Sequence, residues 1–409
     1  ARLGIDVRLL RRAHSQNLAD SRQTHIVLVM DNRSPIVRPP TGMEWVDASA
    51  MADVRLARGQ HRAGLCQWAE EAMGSPCPPK RSPWARPGWH AAADTWIGRE
   101  LERAGATSAG PTEQVKTDDM SCVLRIPTLD GDLYFKASPE TFAHETPVTS
   151  FLSRQRPNCS PRVIATDTEH HWTLMGDIGG TPLRHVADVD RWADALRDYA
   201  GQQMALVSTR GELAALGCPV RTLDVLAQAI PPLLADTDAV TLGGAEPGLS
   251  AAELDRVRDL APAMRSACRA LADYAVPESL THGDFVSVNI IARGGDTVFF
   301  DWSHSSIAHP FFDLPFVLPQ PTAGGPSDFY ALTLTPAIRA RLEDAYLTPW
   351  TSYEPMRRLR QALALARPLA ALRYALTFYR YIVPTVEDAV AWGASVPRLL
   401  RVALADAES

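Results

Sequence analysis

Lysine is almost missing from this chain. Of 41 basic residues only Lys80, Lys116 and Lys136 are lysines, and the remainder are arginines. A GC-rich coding sequence accounts for the bias, but each lysine that survives it then needs a reason. Six cysteines (66, 77, 122, 159, 218 and 268) form no CxxC pair, which removes the spacing of a zinc site or a disulfide framework. Scattered thiols fit a reducing compartment. With no secretory signal in view, a cytoplasmic location is the expectation. No basic run stands out, and a net charge of −6 with a pI near 6 lacks the footprint of a nucleic-acid binder. Apolar runs such as "HIVLVM" at 25–30 are too short to span a bilayer, so no membrane partner is expected.

What is present is a 409-residue chain, 46% hydrophobic, long enough for two or three packed units. Residues 1–75 begin with charged sequence. "THIVLVMDNRSPIVRPP" then reads as a strand, an Asp-Asn-Arg-Ser turn and a second short strand, with helical composition behind it. The proline-rich stretch 76–88 reads as a linker. Over 89–180 the texture is β-rich: "SCVLRIPT", "GDLYFKAS", "PRVIATD" and "HHWTLM" alternate like strands. A helix over 88–106 precedes them, and the helix-like segment 140–155 interrupts them. From 181 to 409 amphipathic helices dominate. Val189, Trp192, Leu196, Tyr199 and Leu206 follow the helical period, and Ser250 with Glu253 forms a capping-box pattern.

Inside that helical stretch sits "LTHGDFVSVNIIARGGDTVFFDWSHSS" at 280–306. Two short apolar strands joined by Gly-Gly carry Asp284, Asn289 and Asp301 at their edges. Three oxygen-bearing side chains gathered by one hairpin suit a hard cation such as Mg²⁺. "HGDFVSVN", followed twelve residues later by "DWS", resembles the signature H-G-D-x-x-x-x-N then D of the aminoglycoside phosphotransferase and choline kinase family. The resemblance covers roughly residues 107–400.

That resemblance implies a two-lobed, protein-kinase-like α+β fold. Residues 89–180 would form the β-rich N-lobe and 181–409 the helical C-lobe, preceded by a small N-terminal accessory domain. It implies transfer of the γ-phosphate of ATP, or of GTP, to a hydroxyl of a small molecule, with Mg²⁺ as cofactor. Asp284 would be the base, with His282 ordering the loop, and Asn289 and Asp301 would be the metal ligands. Asp313 matches a family aspartate that buttresses the catalytic loop. Its other reading is a plain helix N-terminal carboxylate. Lys136, at a strand end, would hold phosphates and pair with Glu145, with Glu140 as the fallback. Backbone groups around Met175, Asp177 and Ile178 would face the adenine, with Gly179 and Gly180 lending flexibility.

Two departures narrow the reading. "EQVKTDDMSCVLRI" contains no glycine-rich loop, so Ser121 and nearby amides stand as the phosphate contacts. Only eleven residues separate Asp301 from Asp313, which leaves little room for a platform that binds a protein substrate. The rival is a catalytically inactive kinase fold that binds nucleotide or a partner. Its usual mark, loss of the base, the metal ligands or the lysine, is missing. Residues 1–75 are expected to be accessory, with a homodimer through that segment as one role. For the acceptor, "PMRRLRQALALARPLAALRYALTFYRYIV" carries six arginines and no carboxylate, which points away from a polycationic aminoglycoside. Tyr374, Phe378 and Tyr381 add aromatic surface there, although such spacing more often marks core.

Overall fold

The first elements are two antiparallel strands, β1 (Val7–Leu18) and β2 (Gln23–Asn32), in a computed structural model of the chain. It describes residues 6–18, 23–33, 39, 41–42, 44–56, 59–243, 247–319 and 331–408. β2 runs on through Asp31 and Asn32, where the sequence suggests a turn. The second short strand expected after it includes residues 34–38, which lie outside the described residues. β1 is not legible in the sequence for a physical reason. Register shifts between Leu9 and Arg11, and between Arg12 and His14, break the two-residue alternation that would reveal a strand.

The chain divides into two compact units, 1–139 and 140–409. In the first, α1 (Arg62–Ala72) and α2 (Trp89–Ala104) precede the antiparallel strands β3 (Glu113–Thr117), β4 (Cys122–Thr128) and β5 (Gly131–Ala137). β4 and β5 bury alternate residues, with Leu124, Ile126, Leu133 and Phe135 inward. α2 ends as the sequence predicts, at Gly105 in the left-handed region (φ 67°). The β1–β2 hairpin is tied to this framework. Arg8 and Arg33 both reach Asp94 of α2, at 2.9 and 2.8 Å, and the Gln114 amide bonds both backbone groups of Leu9 at 2.8 Å. The proline-rich stretch is anchored too. Trp84 is buried and donates to the Asp118 carbonyl, and buried Arg81 grips Glu71 with two bonds.

The second unit begins with α3 (Glu145–Gln155), β6 (Val163–Asp167), β7 (Trp172–Gly176) and β8 (Thr181–Pro182). The helices α4 (Val189–Leu206), α5 (Arg210–Ala215), α6 (Leu223–Ala235), α7 (Thr237–Thr241) and α8 (Ala251–Ala272) follow. Then come β9 (Ser279–Thr281), β10 (Ile290–Arg293), β11 (Asp296–Phe299) and β12 (Ser306–Ala308). The chain continues through α9 (Leu314–Val317), α10 (Pro336–Leu347), α11 (Met356–Thr377), α12 (Ala389–Gly393) and α13 (Ser395–Glu408). α8 starts with the capping box that Ser250 and Glu253 suggest, both reciprocal bonds being made. Such a cap stabilises a helix by about 1 kcal/mol. No helix among the described residues is long and apolar enough to cross a membrane.

β10 and β11 form the expected hairpin, and β8 adds to its other edge with Thr181 opposite Ala292. This contact corrects the reading of Gly180 as a source of flexibility. Its φ is +88°, and a Cβ there would lie 2.4 Å from the Ala292 carbonyl oxygen. Gly180 is needed because two backbones meet.

Buried histidines give the fold a pH dependence. Burial, the largest cause in each case, lowers His144 and His90 to about 4 and His309 to about 3. The unfolded chain therefore binds protons near pH 6.5 that the folded chain refuses, and stability should fall as pH drops from about 6.5 towards 4. Each histidine adds a slope of up to about 1.4 kcal/mol per pH unit. Urea unfolding at pH 7.5, 6 and 5 should show the midpoint falling, and a flat series would contradict the burial.

Candidate active site

Three short stretches converge beside α4: the loop after β9, the edges of the β10–β11 hairpin, and the turn after β11. Aromatic packing sets their floor. Tyr199 of α4 stacks on Phe285 at 3.8 Å between ring centroids, and Phe299 lies 5.1 Å from it. All three rings are fully buried.

The loop hangs from Asp313. This side chain is fully buried and accepts the His282 and Gly283 N–H groups at 2.8 and 2.9 Å, and the Tyr199 hydroxyl at 2.5 Å. Asp313 makes no capping bond to α9, so the buttress reading holds and the helix-cap reading does not. Burial, then the Asp313 charge, pushes the Tyr199 hydroxyl well above its usual pKa and keeps it a donor. His282 is likewise buried, and its Nε2–H donates to the Phe300 carbonyl at 2.8 Å. That bond ties the His282 ring to the backbone just before Asp301.

Gly283 has φ +81°, and a Cβ on it would come 2.1 Å from the His304 carbonyl oxygen. Gly283→Ala should therefore cost roughly 2–4 kcal/mol of stability. An unchanged midpoint in denaturant would show that the loop is not held in this way.

Asp284 is gripped on both oxygens. Asn289 donates its amide Nδ2–H to the Asp284 carbonyl (3.0 Å) and to Oδ2 (3.2 Å), and the Tyr374 hydroxyl of α11 donates to Oδ1 at 3.0 Å. Spending Nδ2 on Asp284 leaves Oδ1 as the Asn289 atom available to a cation. Asp301 adopts a left-handed backbone, φ 66°, which a non-glycine residue rarely takes and which functional sites often store. Its Oδ1 accepts the Ser303 hydroxyl at 2.8 Å. Half-buried His304 feels the charge of both carboxylates. Burial lowers its pKa to about 4, while Asp284 and Asp301 both pull it upward. The structure thus joins Asp284 to Asn289, and Phe300, the residue before Asp301, donates its N–H to the Asn289 carbonyl at 3.2 Å. Among the described residues no three His, Cys, Asp or Glu side chains are poised for a metal. One carboxylate and one amide oxygen still fit Mg²⁺, which keeps several waters and takes the rest of its shell from phosphates.

The other predicted residues are placed as follows. Glu145 is the first residue of α3 and is buried, and α3 packs on the turn that follows Asp301. Glu140, the fallback, lies 2.9 Å from His171 Nε2. Met175 is on β7, the Asp177 carboxylate accepts the Gly179 N–H, and the Ile178 carbonyl accepts from Arg293 at 3.4 Å. In the first unit, Lys136 stands on β5 opposite Val123. Ser121 is buried at the β3–β4 turn. Its N–H and that of Met120 are taken by Asp118, and the Ser121 hydroxyl has no hydrogen-bond partner among the described residues. Sequence reasoning missed His304 entirely. It noted Tyr374 only as aromatic surface, since helical spacing cannot show which tyrosine turns its hydroxyl to a carboxylate.

Residues 101–361 match the model of the phosphotransferase enzyme family. The chain belongs to this family. As a phosphotransferase of small molecules in general, it shares a protein-kinase-like fold with solved structures of low identity, and a small sheet region lies at its N-terminal end. It is similar to an ethanolamine kinase from Plasmodium vivax, with 14% identity over 86% of this chain and 98% of that one, at a TM-score of 0.51. A choline kinase from Streptococcus pneumoniae gives 15% identity over 77% and 99%, also at 0.51. A macrolide 2'-phosphotransferase type I gives 13% over 75% and 97%, at 0.50. No curated protein matches the chain.

Proposed function

We propose that this phosphotransferase moves the γ-phosphate of ATP or GTP to a hydroxyl of a small molecule, with Asp284 as base. The observation that carries the reading is the grip on Asp284. Asn289 and Tyr374 fix both its oxygens, while a carboxylate keeps further lone pairs for an incoming hydroxyl. Phosphoryl transfer asks the protein mainly for positioning and charge neutralisation, and a fixed acceptor atom supplies the first. The Asp284 carboxylate takes the hydroxyl proton as the oxygen attacks. His282, Asp313 and Tyr199 hold the loop still, and buried aromatic rings keep water from beneath it.

Asn289 Oδ1 and the Asp301 carboxylate would hold Mg²⁺, which when bound would offset the negative charge of the phosphates. From the first unit, the family resemblance adds Lys136 and Ser121 as phosphate contacts, with Glu145 as the lysine's partner and the Met175–Ile178 backbone as the base-reading edge. Residues 1–75 are read as accessory. An ADP-release screen over amino alcohols, sugars, macrolides and aminoglycosides, with and without Mg²⁺, tests the reading. Mg²⁺-dependent release with at least one class supports it. Nucleotide binding with no transfer to any acceptor would favour an inactive binding module.

A further inference from the structure

Next to this site, α6 and α11 enclose a small pocket of about 30 Å³ that opens to solvent, and its charged side chains are all of one sign. Arg221, Arg373 and Arg380 line it together with Thr377 and Tyr381, and among the described residues no carboxylate does. Arg373 is only 3% exposed, yet none of its three guanidinium nitrogens has a hydrogen-bond partner among the described residues. Arg221 is 8% exposed; Nη1 donates to the Thr377 hydroxyl at 3.0 Å, and Nε has no partner.

Two buried guanidiniums with idle donors are costly. They also repel each other: burial first, then the charge of Arg373, lowers Arg221 to about 10. A role for Arg373 as the counter-ion of Asp313 does not account for this. The nearest approach is 3.9 Å without a hydrogen bond, Asp313 already accepts four other donors, and Arg221, which lies over the Tyr381 ring at 4.3 Å, has no carboxylate partner among the described residues. The planar fork of an arginine matches an oxyanion, which takes two N–H bonds at once.

We propose that this pocket binds an oxyanion, a carboxylate or phosphate group, carried by the hydroxyl acceptor itself. The placement on α11 supports the link. Arg373 immediately precedes Tyr374, whose hydroxyl holds Asp284, so one helix presents the anion site and steadies the proposed base. The inference rests on the reading of Asp284 as base and gives it a substrate class: hydroxy acids or phosphorylated polyols. It narrows the sequence-based reading away from a polycationic aminoglycoside.

The test uses the full chain as wild type, Arg373→Met, Arg373→Lys, Arg221→Gln and Asp284→Asn. Inorganic phosphate and acetate are titrated by calorimetry, which separates the two kinds of oxyanion. ADP release is then compared for ribose against ribose 5-phosphate and for glycerol against glycerate. One anion should bind wild type and Asp284→Asn alike. Arg373→Met and Arg221→Gln should bind it about tenfold more weakly or worse, and Arg373→Lys should keep part of the affinity. The acidic member of a pair should be the better acceptor, with KM raised in the arginine variants more than kcat is lowered.

The proposal falls if wild type binds neither anion, if the arginine variants bind as wild type does, or if the neutral member is preferred in both pairs. Absence of transfer to every acceptor would overturn the phosphotransferase reading instead, and the titrations would still judge the pocket.

Discussion

Asp284→Asn should remove turnover by about 10²–10⁴-fold while MgATP binds nearly as before. The surroundings explain why the loss should be chemical rather than structural. An asparagine amide can turn its oxygen to the Asn289 Nδ2–H and its NH₂ to the Tyr374 hydroxyl, so both existing contacts find a partner. The loop is held independently, through Asp313 and the backbone of His282 and Gly283. What disappears is a basic oxygen able to take the hydroxyl proton. Initial rates on an identified acceptor, with nucleotide affinity measured on the same samples, make the check. Wild-type turnover in the variant would move the active site away from this loop.

The second large effect concerns charge. Asp301→Ala should abolish the dependence of ATP binding on Mg²⁺, and Asn289→Ala should weaken it. Asp301 is the one carboxylate of the proposed pair, so its loss leaves the cation with an amide oxygen, water and the phosphates. The substitution also relieves nothing that would compensate, because the left-handed backbone at Asp301 is less tolerable to alanine than to aspartate. Lys136→Ala should weaken ATP more than adenosine, since a lysine that meets phosphates is silent towards a nucleoside. Fluorescence titration of nucleotide over a Mg²⁺ series gives the result. Equal Mg²⁺ dependence in wild type and Asp301→Ala would rule out this metal assignment.

Much of this was readable in the chain itself. Asp284, Asn289 and Asp301 follow fixed spacings that a loop–strand–turn–strand unit brings to one edge, so their meeting is a local consequence of "HGDFVSVNIIARGGDTVFFD". The helices α2, α4 and α8 announce themselves by period and caps, because those signals lie within a few turns of chain. β1 was hidden by its own register shifts, and the anchoring of the proline-rich stretch by Trp84, whose burial depends on residues more than thirty positions away.

The same distinction holds for function. Sequence alone pointed to the class of chemistry, since the segment 280–306 resembles the signature of a phosphotransferase family and residues 101–361 match its model. Tertiary structure decided what surrounds them. Tyr374 comes to Asp284 from ninety residues away, Tyr199 to Asp313 from 114, and Arg221 to Thr377 from 156. No local pattern encodes such pairs. Whether an arginine on α11 is solvated or buried turns on which face of the helix the rest of the fold covers. "PMRRLRQALALARPLAALRYALTFYRYIV" reads as a basic surface, yet the packing of α6 and α11 buries Arg373 with Arg221, and burial is what turns a surface charge into a demand for an anion.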